Sequence, residues 1–316
     1  MARAIGANSK LAGKVETTYG TAATGNYNQL PFYSFDLGSS QPLITPTVIG
    51  VGANRDPAAP IKDVISVEGN AVVPVDLVNI GHWLKLLFGA PTTTGATDFT
   101  HTFKSGAATL PSYSYEISMP DVPEYPLIVG VRGGSMALDF SPSGEARATI
   151  GLIGQGETRP TTSSAGTLVT QTYTPFGQFQ GSIKRGGTSL AGVVAASLTY
   201  NNNLEAVRTI RSDGKIEGAD PSITNVSGEI RVRYADTTLM TDALNGASIS
   251  LELGYTISAT KSLLLTVPEC YLPKPKTGVA GPGGVEASFQ FQGAYNAAQQ
   301  AALVAVLRNQ SAAATY

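Results

Sequence analysis

The sequence predicts a mainly β protein built as two tandem β-sandwich or barrel units, each with a flanking α-helix. Three observations predict it. A strand, glycine, strand and capped-helix pattern occurs twice: Val64, Val67, Gly69, Ala71 and Val73 lead to Asp76 and a helix ending at Gly89-Ala90, and Ile223, Val226, Gly228, Ile230 and Val232 lead to Asp236 and a helix ending at Gly246-Ala247. Gly69 and Gly228 stand 159 positions apart and Gly89 and Gly246 stand 157 apart, a period that persists through loops of different composition, as repeated packing units do. Charged residues make up only 14% while Gly numbers 35 and Pro 19, a balance that suits many short strands joined by turns.

Taken in order, residues 1–29 are small and polar with few apolar anchors, and read as an arm ordered by a neighbour. Residues 30–155 form the first unit. It opens with a strand near Phe32 to Leu37 and a long stretch, Gln41 to Lys62, that carries Pro42, Pro46, Pro57 and Pro60 and is a candidate contact loop. From Val64 to Val75 apolar and polar residues alternate, which is the period of a strand with one buried face. Asp76 is placed to cap a helix with the stripe Leu77, Ile80, Leu84, Leu87 and Phe88, closed by Gly89. Strands are expected at Ser112 to Ser118, Leu127 to Val131, Ser135 to Phe140 and Ala146 to Ile153, the last two joined by a Pro-Ser-Gly turn at 142–144.

Residues 156–165, rich in Thr, Ser, Gly and Pro, read as the linker, and 166–316 as the second unit. There Ala196 to Tyr200 matches the first strand and Asn201 to Ser222 replaces the long loop. Ile223 to Tyr234 precedes a helix with Leu239, Met240, Ala243 and Leu244. Strands follow at Ile249 to Ile257, Leu263 to Val267 and 286–293. A C-terminal helix is expected from Asn296 to Arg308, with Leu303, Val306 and Leu307 on one face.

Chemistry is hard to find in this chain. The net charge is -2, with 10 basic and 13 acidic side chains in residues 1–160 and 11 and 10 in the rest, so neither half has the cationic excess that grips nucleic acid. His82 falls opposite the Leu84 and Leu87 stripe and reads as a partly exposed structural residue. His101, in Thr100-His101-Thr102, has no ligand-type residue at metal spacing. Cys270, the single cysteine, reads as a buried small apolar side chain and allows no internal disulfide. The glycine runs Gly130-Val-Arg-Gly133-Gly134 and Gly281-Pro-Gly283-Gly284 lack the Lys-Ser/Thr and helix of a phosphate loop. Asp213, Glu217 and Asp220 lack the ligand alternation of a calcium loop, and no serine stands in a nucleophile-elbow setting. No cofactor, metal or catalytic set is therefore expected. The N-terminus lacks a secretory apolar run and no 18-residue apolar stretch occurs, so a soluble product folding in the cytoplasm is expected.

The stretch Lys14-Val15-Glu16-Thr17-Thr18-Tyr19-Gly20-Thr21-Ala22 resembles the Lys-x-Glu-Thr-x-Tyr/Phe-Gly-Thr opening of one group of major tail tube proteins of long-tailed, non-contractile bacteriophages. Val64 to Gly69 with the helix to Gly89, and the closing Ala287-x-Phe-x-Phe-x-Gly293 strand, resemble the same family, and the likeness covers nearly the whole chain. It implies a structural virion protein, not an enzyme, whose strands join those of neighbouring copies around a channel. For a duplicated chain it implies homotrimeric rings of pseudo-sixfold symmetry, stacked into a tube that delivers DNA. The implied partners are the chain itself, tail terminator and tail-tip proteins, and, transiently in the lumen, tape measure protein and DNA. The tail of the virion is the implied location.

On that reading Ser66, Glu68, Asn70, Asn225, Ser227 and Glu229 face the lumen, since their apolar neighbours turn to the helices; alternation alone equally allows an outer, solvent-facing surface. Val48, Arg55, Asp56, Arg208, Arg211 and Asp213, on the two long loops, are expected between rings. A tandem β-sandwich adhesin or tail-tip binding module is the alternative, although Trp83, the only tryptophan, lies in a helix rather than an exposed loop. A β-rich glycoside hydrolase would need two carboxylates facing one cleft.

Overall fold

The computed structural model describes residues 3–50, 54–276, 278, 281 and 283–316. The fold is mainly β, as expected, and among the described residues its sheets do not close into a barrel. The principal elements, in chain order, are β1 (Lys10–Val15), β2 (Asn28–Leu30), β3 (Gly38–Ser40), β4 (Ser66–Pro74), α1 (Ile80–Phe88), β5 (Phe99–Lys104), β6 (Tyr113–Ser118), β7 (Leu127–Phe140), β8 (Arg147–Ile153), β9 (Gly181–Arg185), β10 (Val193–Asn201), β11 (Asn225–Arg233), α2 (Thr238–Asn245), β12 (Ile249–Ser258), β13 (Lys261–Tyr271), β14 (Glu286–Gly293) and β15 (Val304–Asn309).

Seven strands form one antiparallel sheet in the order β3-β4-β8-β7-β10-β11-β14. The first part of β7 leaves this sheet through a bulge between Gly133 and Ser135 and pairs instead with β6, which pairs with β1, which pairs with β2. The two strands expected at 127–131 and 135–140 are thus one strand shared by two layers. A third group runs β9-β12-β13-β15-β5, and it joins the long sheet where the end of β13 pairs with β14, Cys270 opposite Gly293 and Tyr271 opposite Gln292.

Alternation sorts the long sheet into two faces. Ala71, Ile150, Met136, Tyr200 and Val226 stand opposite one another across five strands and are all buried. Gly69 and Gly228 are half-buried on the same face, opposite the buried Leu152 and Leu198, and are required there. A Cβ at Gly69 would fall 2.6 Å from the backbone of Leu37, and one at Gly228 would fall 2.1 Å from the Ser197 carbonyl oxygen. Helix α1 lies in the core, with Trp83 stacked on Tyr115 at 5.4 Å and Phe88 against Tyr200 at 4.5 Å. Asp76 caps it: its carboxylate accepts from the amides of Asn79 (3.0 Å) and Ile80 (2.9 Å), so the helix starts at Ile80 rather than Leu77. Gly89 follows the helix with φ +89°.

Several expectations are corrected. No helix forms at 296–308: a turn bridged by Asn296 and Ala301 leads into β15, which is sandwiched between β13 and β5. Leu303, Ala305, Leu307 and Asn309 are buried in alternation, so the period is two, and the alanines around them mimicked a helix. His82 is buried, not partly exposed, because the Tyr316 ring packs edge-on against it at 5.3 Å. Lys10–Val15 is not an arm but a strand between two neighbours. The long loops are not strandless: each contains a two-stranded ribbon, Leu43–Ile44 with Ile61–Lys62 and Glu205–Val207 with Gly218–Asp220. The first strand divides into Ser34–Phe35 and β3, both paired to β4. Residues 51–53 of the first loop, and Pro282 of the second glycine run, lie outside the described residues.

Candidate functional site

The site is built from the second face of the long sheet. Asn70, Gly151, Ser135, Asn201 and Asn225 stand in one cross-strand row, and Asp139, Ser197, Glu229 and Gln290 in another. Ala137, Thr199, Ser227 and Gln292 make the row between them. The strands alternate because one face must enter the core, and what remains outside is a field of small hydroxyls and carboxamides. All six residues expected on a common face, Ser66, Glu68, Asn70, Asn225, Ser227 and Glu229, lie on it; Ser66 donates to Glu68 at 3.1 Å.

The charges on this face are mixed and only in part locally paired, with Arg233, Glu68, Glu229 and Asp139 making no ion pair among the described residues. Arg231 reaches Glu286 at 3.7 Å. Arg147 bonds Glu145 at 3.0 Å and lies over the Tyr33 ring at 3.9 Å, while the Tyr33 hydroxyl donates to Glu145 at 2.7 Å. The hydrogen bonds from Tyr33 and Arg147 hold the Glu145 carboxyl below the usual carboxylate range. Among the described residues no continuous cationic stripe runs along the face.

The six residues expected between rings fall into two sets that the fold keeps on separate ribbons. Val48, Arg55 and Asp56 are exposed in the connection between the strands of the first ribbon, and Asn54 bonds Asp56 at 2.6 Å. Arg208, Arg211 and Asp213 are exposed on the second ribbon, where the Arg211 guanidinium makes two bonds to Asp213 at 2.9 and 2.8 Å and holds its carboxyl well below the usual range. That ribbon folds back on the first half of the chain: Ile65 N donates to Gly214 O at 2.9 Å, Arg132 donates to Ala219 O, and Ile216 and Ala219 are buried.

Two buried polar residues tie together the elements around the site: Asn202 escaped sequence reasoning, and Glu16 stood in the N-terminal motif without an assigned role. Asn202 donates from Nδ2 to Leu87 O and Gly133 O, both at 2.9 Å, and accepts from the Tyr200 hydroxyl at 2.6 Å, which ties the end of β10 to the end of α1 and the bulge of β7. Glu16 accepts from Gly20 N, Ser112 Oγ, Ser114 Oγ and Gly130 N at 2.7–2.9 Å. The Glu-Thr-Thr-Tyr-Gly run, whose spacing was visible, is thereby explained: the carboxylate pins its own turn to β6 and β7. Asn202 gave no signal beyond its type.

Among the described residues no group of three or more His, Cys, Asp or Glu could hold a metal ion, and no helix is long and apolar enough to cross a membrane. His101 is buried between Thr93 at 2.9 Å and Asn309 at 3.1 Å. Cys270 is buried, which pushes its thiol up to about 12. The family model for phage tail tube protein matches residues 6–293, nearly the whole chain. The chain belongs to the phage tail tube protein family. No curated protein matches it. As a tail tube protein it is a structural component of the phage tail. The match stops short of β15, the strand that the sequence disguised as a helix.

Proposed function

We propose that this tail tube protein assembles with copies of itself into stacked rings, three chains to a ring, and that the tube so formed conducts DNA with the polar face of the long sheet turned to the lumen. The observation that carries the reading is the contrast between the two faces of one seven-stranded sheet. One is packed with aliphatic and aromatic side chains, and the other presents Asn70, Ser135, Thr199, Asn201, Asn225 and Ser227 with few unpaired cations. A lumen of small neutral groups and carboxylates neither adheres to bases nor attracts phosphate, so DNA slides. The exposed ribbons carrying Val48, Arg55 and Asp56, and Arg208, Arg211 and Asp213, then serve contacts between successive rings. Such head-to-tail contacts repeat without closing and make a filament.

Tail-tip and terminator proteins are the partners this reading places at the tube ends, with tape measure protein and DNA passing through. Negative-stain electron microscopy of the purified protein at high concentration, with and without a tail-tip complex, tests the assembly. Hollow tubes of uniform diameter are expected; particles that stay single under both conditions overturn it.

A further inference from the structure

The middle of the chain contains a completed junction whose two halves recur, unjoined, at the outer edges. In the first half Gly69 stands between Leu37 and Leu152, and the order of strands is β3-β4-β8-β7. In the second half Gly228 stands between Leu198 and Phe291, and the order is β10-β11-β14-β13, with Tyr271 of β13 opposite Gln292 as Arg132 of β7 is opposite Ile153. The far edge of β7 is occupied by β10, from Ser135 opposite Asn201 to Phe140 opposite Ala196. Among the described residues nothing occupies the corresponding edge beyond Tyr271, and β3 pairs on one side only.

From this we infer that β3 and the ribbon following it in a second copy of this chain dock along the end of β13, in the manner that β10 and its ribbon dock on β7 within one chain. The inference rests on the self-assembly proposed above and names the edge that carries it. Counting from the paired glycines, Gln41 corresponds to Asn202, Leu43 to Leu204, Leu244 to Leu87 and Leu272 to Gly133. Gln41 carries the same carboxamide as Asn202 but is exposed, bonded only to Asp63 O at 2.8 Å. In the docked arrangement it donates to Leu244 O and Leu272 O of the second copy.

Exposure follows the correspondence. Leu87 is buried under Asn202, whereas Leu244 is 58% exposed, Tyr271 40% and Tyr295 65% at one edge, and Leu43 is 61% exposed at the other. Both edges therefore present apolar surface that a second copy would remove from water. Pro273 and Pro275 remove two backbone donors from the β13 side, so this junction has fewer ladder bonds than the internal one and depends more on side chains. The edges differ and are complementary, so each chain uses both and the contact is head to tail.

Leu204 Cδ1 would lie 3.9 Å from a Cβ built at Gly134, which identifies Leu43 and Pro273 as the pair to cross-link between copies. Both are exposed, so a Leu43→Cys, Pro273→Cys variant should fold, and cross-linking its thiols with a short bismaleimide should give a ladder ending at a covalently closed trimer, at least tenfold above either single variant. A Leu204→Cys, Gly134→Cys variant, cross-linking inside one chain, controls for geometry. Gln41→Ala should raise the concentration needed for assembly about tenfold with no change in the melting of the isolated chain. Tubes in micrographs with only single chains on non-reducing gels would overturn the docking edge and leave the tube reading standing. Absence of both tubes and oligomers overturns the two together, and wild-type assembly by Gln41→Ala overturns the latch.

Discussion

At His82 a single burial decides a pH dependence. The imidazole is enclosed by α1 and Tyr316, its Nε2 has no hydrogen-bond partner, and burial, with the nearby Lys85 charge second, pushes its pKa down to about 4. In the unfolded chain the ordinary value is about 6.5. Between those two values the unfolded state binds the extra proton, so stability is fully present above pH 6.5 and lost as pH falls toward 4, by up to about 3 kcal/mol. His101 is shifted the same way by burial and adds to the slope. Urea unfolding at pH 7.5, 5.5 and 4.5 should show that His82→Gln loses markedly less stability over this range than the parent; equal losses would contradict the account. None of this was legible at position 82, where helical spacing placed the ring opposite the apolar stripe. The sequence shows which residues share a helix face but not that a second layer covers the other one. Asp76 and the two glycines were legible because caps and close strand crossings constrain residue type directly.

At the scale of elements, alternation identified β4, β8, β11 and β14 within a residue or two, since each has one buried and one polar face. It failed at β15, where Ala301, Ala302 and Ala305 carry high helix propensity and only tertiary pairing with β13 and β5 decides for strand. It failed again at the ribbons, whose strands of two or three residues are too short to show a period. The two ribbons differ in what they rest on. The second lies on the first half through buried Ile216 and Ala219, while Leu43, Ile44 and Ile61 of the first remain exposed. Removing residues 48–58, which lie between the strands of the first ribbon, should therefore leave the thermal melt within about 2 °C of the parent, because none of the described residues among them belongs to the core. The same deletion should shorten or abolish tubes in micrographs; tubes of normal length would show that these residues are not contacts between rings.

For the whole molecule the polar face is the feature that was most fully legible, because a strand's period of two assigns every residue to one face or the other once its buried neighbours are known. Which way the face turns in an assembly was not legible, since alternation is identical for a lumen and for an outer wall. The way β10 joins the two halves into one sheet was hidden too: it depends on Asn202 and on a bulge at Gly133, and neither leaves a period. The most direct measurement is a cryo-electron microscopy reconstruction of the assembled tube at a resolution that traces strands. The account predicts that β4 and β11 form the inner wall with Glu68 and Glu229 on the channel side. A reconstruction with both glutamates on the outer surface of the tube would contradict it.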